Sequence, residues 1–406
     1  MIDIDNIVFP KSPLKEKDLN TDQLKQFLMI RADYEKSAFV TEGHFEVRAL
    51  GAKEFVRPIP ANECATTALL CHSSGHVYGA TSGEKSHLFY YNPAPDADAV
   101  ADVGVVWDGE SEITAIKELP NGEVIGVVNI ANGEVKLFIY RSCGVLLSAM
   151  DFAGMGVREI FDLPAEDQLF FSTIDPCHSA GTIECLALEL PEQMGDLAVG
   201  VNEEIFMIGK KTGKIYLLNQ ERNALKSIGQ LDPNGNFSTR FGVYQERIFA
   251  CGLYGQIYEV SDEGLRKCAC KAACIKGLEL YNRITAWCAY GEFLYGGTED
   301  GLMFAFHPET ETVITLGKPT ANTRVCGMAA TGGKVYAIVG TEDDCAHLTV
   351  YEPETRNLRD LGCPLARSER PWNGYVFGSM CKGNNGQLFL GECDRISQLF
   401  MYFPKI

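Results

Sequence analysis

Gly75-His76-Val77-Tyr78, Gly122-Glu123-Val124-Ile125, Asp167-Gln168-Leu169-Phe170 and Glu203-Glu204-Ile205-Phe206 begin a faint repeat that runs through this chain. It continues as Glu246-Arg247-Ile248-Phe249, Glu292-Phe293-Leu294-Tyr295, Gly333-Lys334-Val335-Tyr336 and Gly386-Gln387-Leu388-Phe389. Each copy is a turn followed by an aliphatic or aromatic pair. The last residues of successive copies stand 47, 45, 36, 43, 46, 41 and 53 residues apart. A recurrence every ~45 residues is the span of one four-stranded antiparallel unit, so the eight copies predict eight units. The short interval between the third and fourth copies leaves seven as the alternative, should those two belong to one unit.

The copies share an internal order. A first strand rich in small residues (Ile113-Thr114-Ala115, Ile284-Thr285-Ala286, Val325-Cys326-Gly327) precedes a tight turn and the aromatic second strand. The third strand reads Leu88–Tyr91, Leu137–Tyr140, Met303–Phe306, Leu348–Tyr351 and Leu399–Tyr402. Turns such as Pro308-Glu309-Thr310 and Pro353-Glu354-Thr355 lead to a fourth. From about residue 58 to the end the chain therefore resembles the β-propeller superfamily. The fold class expected is all-β, a propeller of eight four-stranded blades, with small residues near the crowded axis. The resemblance is architectural. No recurrent Trp-Asp dipeptide, kelch double glycine or family-specific catalytic string is present.

Residues 1–57 stand outside the repeat. Asn20 and Thr21 precede Leu24, Phe27, Leu28 and Arg31 at helical spacing, which predicts a helix over about 22–35. Phe45, Val47 and Ala49 alternate with Glu46 and Arg48, which predicts a strand over about 45–50. The last copy holds three strands before the chain ends, and an open blade edge is a liability. The early strand is the expected fourth member that closes the ring.

Composition excludes several classes. The net charge is −18 and no Lys/Arg-rich run occurs, so a nucleic-acid or anionic-membrane partner is not expected. No apolar run approaches the ~20 residues of a membrane helix. Fifteen cysteines without a recognisable secretion signal suggest a reducing, cytoplasmic setting in which they act as small apolar residues. Cys268, Cys270 and Cys274 have no partner pair at zinc spacing, and neither a metal nor a cofactor is expected.

Up-and-down strands put the short first-to-second and third-to-fourth turns on one face. The variable second-to-third loops and the inter-blade links emerge on the other, where function is expected. That sorting sets aside His72, His76 and His307, and gives His87 and His347 a repeat-derived structural role. His178, beside Asp175 in a loop, remains the candidate general acid/base. Arg158, Arg283 and Arg324 each stand twelve residues before the last residue of their copy, at the start of the innermost strand. Arg240 and Arg370 hold loosely comparable places. Guanidinium groups converging on the axis of an acidic protein would make a local anion trap, matching carboxylate or phosphate bidentately. The function expected is a small anionic ligand held in the central funnel, with a lyase or hydrolase acting on an acidic sugar-like metabolite as the form catalysis would take. A non-catalytic scaffold for protein partners is the alternative.

Overall fold

Seven sheets surround a common axis in the computed structural model, each built on a blade of four antiparallel strands in up-and-down order, and in the seventh two further short strands extend the outer edge. The model describes residues 40–50, 59–93, 100–142, 181–219, 221–279, 282–342, 344–366, 372–394 and 396–405. Running from the axis outward, blade 1 is Ala65–Cys71, Val77–Ser82, Ser86–Tyr91 and Ala101–Trp107. Blade 2 is Ser111–Glu118, Val124–Ile130, Val135–Ser142 and Gly181–Cys185, and blade 3 is Met194–Val199, Ile205–Gly209, Lys214–Leu218 and Leu225–Gln230. Blade 4 has the shortest inner strand, Gly242–Tyr244, followed by Arg247–Cys251, Gln256–Ser261 and Gly264–Lys271. Blades 5 and 6 begin at Ile284–Tyr290 and Val325–Thr331 and end at Thr312–Gly317 and Asn357–Gly362.

The count is seven blades, not eight. Ser142 and Gly181 pair directly, as the ends of the third and fourth strands of blade 2. The third sequence copy, Asp167–Phe170, therefore falls within a third-to-fourth connection of one blade and lies outside the described residues. A turn followed by two apolar residues is short enough to recur by chance, and here it adds no blade to the ring.

Blade 7 is stitched from both ends of the chain. Phe377–Lys382, Leu388–Glu392 and Gln398–Phe403 are completed by His44–Ala49, which pairs antiparallel with the last of them from His44↔Phe403 to Ala49↔Gln398. Leu365–Ala366 then adds in parallel through Phe45↔Ala366, and Trp372–Asn373 pairs with that, covering the outer edge. Arg359 of blade 6 holds Glu42 at 2.6 Å, just ahead of the closing strand. This contact keeps the Glu42 carboxyl below its usual range. The helix expected over 22–35 lies outside the described residues.

Second strands supply the bulk of the core, which sits between blades rather than on the axis. The residues that define the repeat (Tyr78, Ile125, Phe206, Phe249, Tyr295, Tyr336 and Phe389) are all buried. They pack with neighbours from the next blade, as Phe249 does with Phe304 and Phe306, and Tyr78 with Tyr140. Each such side chain contributes about 1.5–3 kcal/mol on burial. Glycine has a defined place in this packing. Gly79, Gly126 and Gly296 sit opposite Phe89, Phe138 and Phe304. A β-carbon there would lie 2.0, 2.4 and 2.2 Å from the facing ring, so only glycine lets the ring lie flat across its partner strand.

Candidate functional site at the channel mouth

Six inner strands slip register at one equivalent place, leaving Thr67, Thr114, Gly195, Thr285, Cys326 and Gly378 as the extra residue of a bulge. Each stands three residues before the one paired with the buried anchor of the second strand. The same count in blade 4, back from Gly242, gives Thr239. The hydroxyls near this level join one blade to the next. Thr67 donates to the Ile113 carbonyl at 2.6 Å, Thr114 to Met194 at 3.0 Å and Thr285 to Val325 at 2.6 Å. Ser238 donates to Ile284, and Ser379 to Thr66 at 3.5 Å. Every acceptor is the residue just before the next blade's ring position. Bulges re-aim a backbone locally, and this one turns a side chain toward the neighbouring blade.

Above the ring a cavity of about 580 Å³ opens on the face that carries the second-to-third loops. Glu299, Thr341, Glu342 and Cys393 come to it from those loops, and Glu112, Thr323 and Arg324 from the starts of inner strands. A narrower space of about 150 Å³ continues along the axis, lined in part by Asp196 and Phe241. Arg240 lines both. It extends across the channel from blade 4, and its Nη1 donates to the Thr114 carbonyl of blade 2 at 2.9 Å.

Charge pairing separates the arginines. Among the described residues Arg48, Arg141, Arg222, Arg247, Arg266, Arg283 and Arg359 all form ion pairs with carboxylates. Arg240, Arg324 and Arg356 form none; Arg356 stands in the third-to-fourth turn of blade 6, and the other two are the arginines that line the mouth. Arg283 is paired with Glu299 at 3.8 Å and stands beside the cavity rather than on its wall. Arg324 is further marked by its backbone, which has φ of +57° in the left-handed region. That conformation costs a residue with a β-carbon roughly 1–2 kcal/mol. It is clamped there, its N–H donating to Glu299 at 2.8 Å and its carbonyl accepting from Gly340 at 3.0 Å. A strained residue held in place with its charge unpaired is a reason to look for function.

Carboxylates share the mouth. Glu112 is held by Lys210 at 2.5 Å and Glu299 by Arg283, whereas the exposed Glu342 side chain forms no ion pair among the described residues. Two thiols report how the charges are grouped. Cys326 is pushed up to about 11, first by burial, with Arg324 and Arg240 drawing it back. Cys393 is pushed up to about 12, first by burial and further by its neighbours, Glu112 and Glu342 among them.

The described histidines stand elsewhere. His87 and His347 open the third strands of blades 1 and 6 and bond Asp102 and Asp360 of the fourth strands at 3.0 and 2.9 Å. Each aspartate also accepts from the backbone N–H two residues on, of Gly104 or Gly362. The two form one clasp used twice. His72 bridges to blade 2 through Gly122 and Glu118, and His76 lies against Tyr90. Asp175, His178, Arg158 and Arg370 lie outside the described residues. Among the described residues no group of three His, Cys, Asp or Glu side chains is placed to hold a metal ion.

In fold, the chain is similar to the streptogramin B lyases. One such structure aligns at a TM-score of 0.59 and 9% identity, covering 89% of this chain and 98% of the other. A catalytically inactive virginiamycin B lyase from Staphylococcus aureus with quinupristin aligns at 0.58 and 10%, covering 89% and 100%. The extracellular domain of a one component system from B. thetaiotaomicron aligns at 0.58 and 12%, covering 88% of this chain and 40% of that one. At such identities the likeness establishes the seven-bladed propeller and nothing of its chemistry. No family model matches the chain, and no curated protein matches it in sequence.

Proposed function

We propose that the channel mouth binds a small molecule through a carboxylate or phosphate group, held by Arg324 and Arg240. The observation that carries this reading is the pairing pattern. In a protein of net charge −18, two guanidiniums without ion pairs meet in one cavity, and one of them sits on a strained backbone. A planar guanidinium fork that is not committed to an ion pair binds a carboxylate or phosphate bidentately.

The lyase named among the structural neighbours makes elimination the reaction class to assay. Neutralising a carboxylate with arginine acidifies its α-proton, and His178 with Asp175 remains the acid/base pair proposed for its removal. A scaffold role has less support, because the exposed large apolar side chains (Val105, Val201, Val243, Tyr254, Leu278, Tyr290 and Ile314) are spread over blades 1, 3, 4 and 5 and a link.

The test is a thermal-shift and calorimetric screen with inorganic phosphate, dicarboxylates and uronic acids, run on the wild type and single arginine variants. A binder at one hundred times its Kd raises stability by about 2.7 kcal/mol. Loss of that shift in Arg324→Ala and Arg240→Ala, with Arg283→Ala retaining it, is expected. Binding that survives both substitutions would overturn the assignment.

A further inference from the structure

The wide mouth and the narrow axial space form one continuous passage, because Thr67, Thr114, Thr285, Cys326, Gly378 and Arg240 line both of them. All of these except Arg240 are bulged residues of their inner strands, so the bulges form the throat between the two spaces. The extra residue of a bulge leaves the hydrogen-bond ladder. The innermost strand of every blade is also a sheet edge, with a row of backbone N–H and C=O groups unpaired within its sheet. One such group shows where it points: the Thr114 carbonyl takes a hydrogen bond from Arg240, whose side chain crosses the channel to reach it. That bond uses one N–H of the Arg240 fork, and no other described protein group takes the rest. The apolar side chains of the lower space are turned away from the axis into the packing between blades. Ile116 belongs to the core of blades 1 and 2 and Met328 to that of blades 5 and 6, while Trp287 lies edge-on to Phe304 at 5.7 Å. What the throat offers along the axis is therefore backbone donors and acceptors.

From this we infer that the ligand is an open-chain polyhydroxy acid, its anionic group held by Arg324 and Arg240 and its hydroxylated chain threaded through the throat. The inference rests on the anion-binding reading of the same cavity and adds the nature of the tail. Neighbouring N–H and C=O groups call for a partner that both donates and accepts, and a hydroxyl does both with one oxygen. An alkyl tail fits less well, because it would cover the same groups and leave them without partners. The space below the throat is about 150 Å³ against about 580 Å³ above it, so a slender chain enters where a sugar ring stays in the mouth.

The experiment is isothermal titration of the full chain with two series of matched length. Glycerate, threonate, ribonate and gluconate are set beside propanoate, butanoate, pentanoate and hexanoate. Each added hydroxylated carbon is expected to tighten binding about fivefold, the net worth of one hydrogen bond, while the alkanoates gain nothing with length. A gluconate carrying a second sugar ring on its fourth oxygen is expected to fall back to the affinity of glycerate, because the ring stops at the throat. Arg324→Ala is expected to weaken every acid alike. If acids bind in an Arg324-dependent way and the hydroxylated series is no tighter than the alkanoates, the polyhydroxy inference falls and the anion reading stands. If the ring-bearing gluconate binds as tightly as gluconate itself, the tail lies in the mouth and threading is overturned. If no acid binds in an Arg324-dependent way, both readings fail together.

Discussion

The ring of bulged residues and the positions on either side of it occupy the same strands, yet they follow opposite rules. At the ring the seven blades carry Thr67, Thr114, Gly195, Thr239, Thr285, Cys326 and Gly378, all small and four of them threonine. Two residues earlier they carry Ala65, Glu112, Gln193, Phe237, Arg283, Arg324 and Val376, with no common chemistry. One residue later the blades read Ala68, Ala115, Asp196, Arg240, Ala286, Gly327 and Ser379, small in five and charged in two neighbours. The repeated position ties blades together and tolerates little. Among the unrepeated ones, Glu112, Asp196, Arg240 and Arg324 line the channel, and the charges that distinguish this protein sit there. A repeat protein marks its site by breaking its own pattern, and the following experiments separate frame from site on that basis.

The largest effect belongs to the frame. Phe304→Ala removes a fully buried ring that covers Gly296 and packs between blades 4 and 5. It is expected to cost about 3–5 kcal/mol in urea unfolding, with Gly296 unable to fill the gap. Ligand affinity of the folded fraction should be unchanged. A cost below about 1 kcal/mol, the range of surface changes, would show that the inter-blade aromatics are not the frame.

Much of this frame was legible in the sequence, because burial imposes a pattern and patterns can be counted. The anchors at 78, 125, 206, 249, 295, 336 and 389 each begin or follow a second-strand start, and the third-strand segments fall inside observed strands. The eighth blade arose because Leu169-Phe170 satisfies a signature only a few residues long. The site was legible in part. A fixed count of twelve from the anchor found Arg283 and Arg324, but in blade 2 the first hairpin is one residue longer: Ile125 pairs with Lys117, eight back, whereas Tyr295 pairs with Cys288, seven back. Glu112 shares the arginines' register and was passed over for that single residue. Glu342 stands in an acidic loop, and an acidic loop residue looks alike whether it faces solvent or a channel.

The His–Asp clasp is the next largest effect. Burial alone would lower His347, but Asp360 and Cys363 beside it together push it up to about 10. A folded pKa above the unfolded value near 6.5 means the clasp contributes fully below about pH 6.5. Its contribution is lost as pH rises through about 10. Asp360→Asn is expected to destabilise by about 1.5–3 kcal/mol at pH 6. It should also flatten the fall in stability between those two pH values. An unchanged profile would show that His347 does not carry the charge. Thr285→Val comes next, at about 1 kcal/mol, because it leaves the Val325 carbonyl without its donor. The same change in an exposed strand threonine such as Thr312 should be near neutral, and equal costs at both would deny the ring any special part in joining blades.

The smallest change should carry the opposite sign. Arg324 adopts a left-handed backbone at a position where its carbonyl and N–H are both bonded but its side chain forms no ion pair. Glycine takes that conformation without the clash of a β-carbon, at the expense of more freedom in the unfolded chain. The two terms leave Arg324→Gly more stable than the wild type by about 0.5–1 kcal/mol, measured by urea unfolding without ligand. Ligand binding should be lost at the same time. A residue whose removal stabilises the fold and abolishes binding is kept for what it binds, as expected when stability and activity are traded against each other. A destabilised Arg324→Gly would instead place Arg324 with Phe304 and Thr285 in the frame, and the division between repeated and unrepeated positions would fail at the residue on which the site most depends.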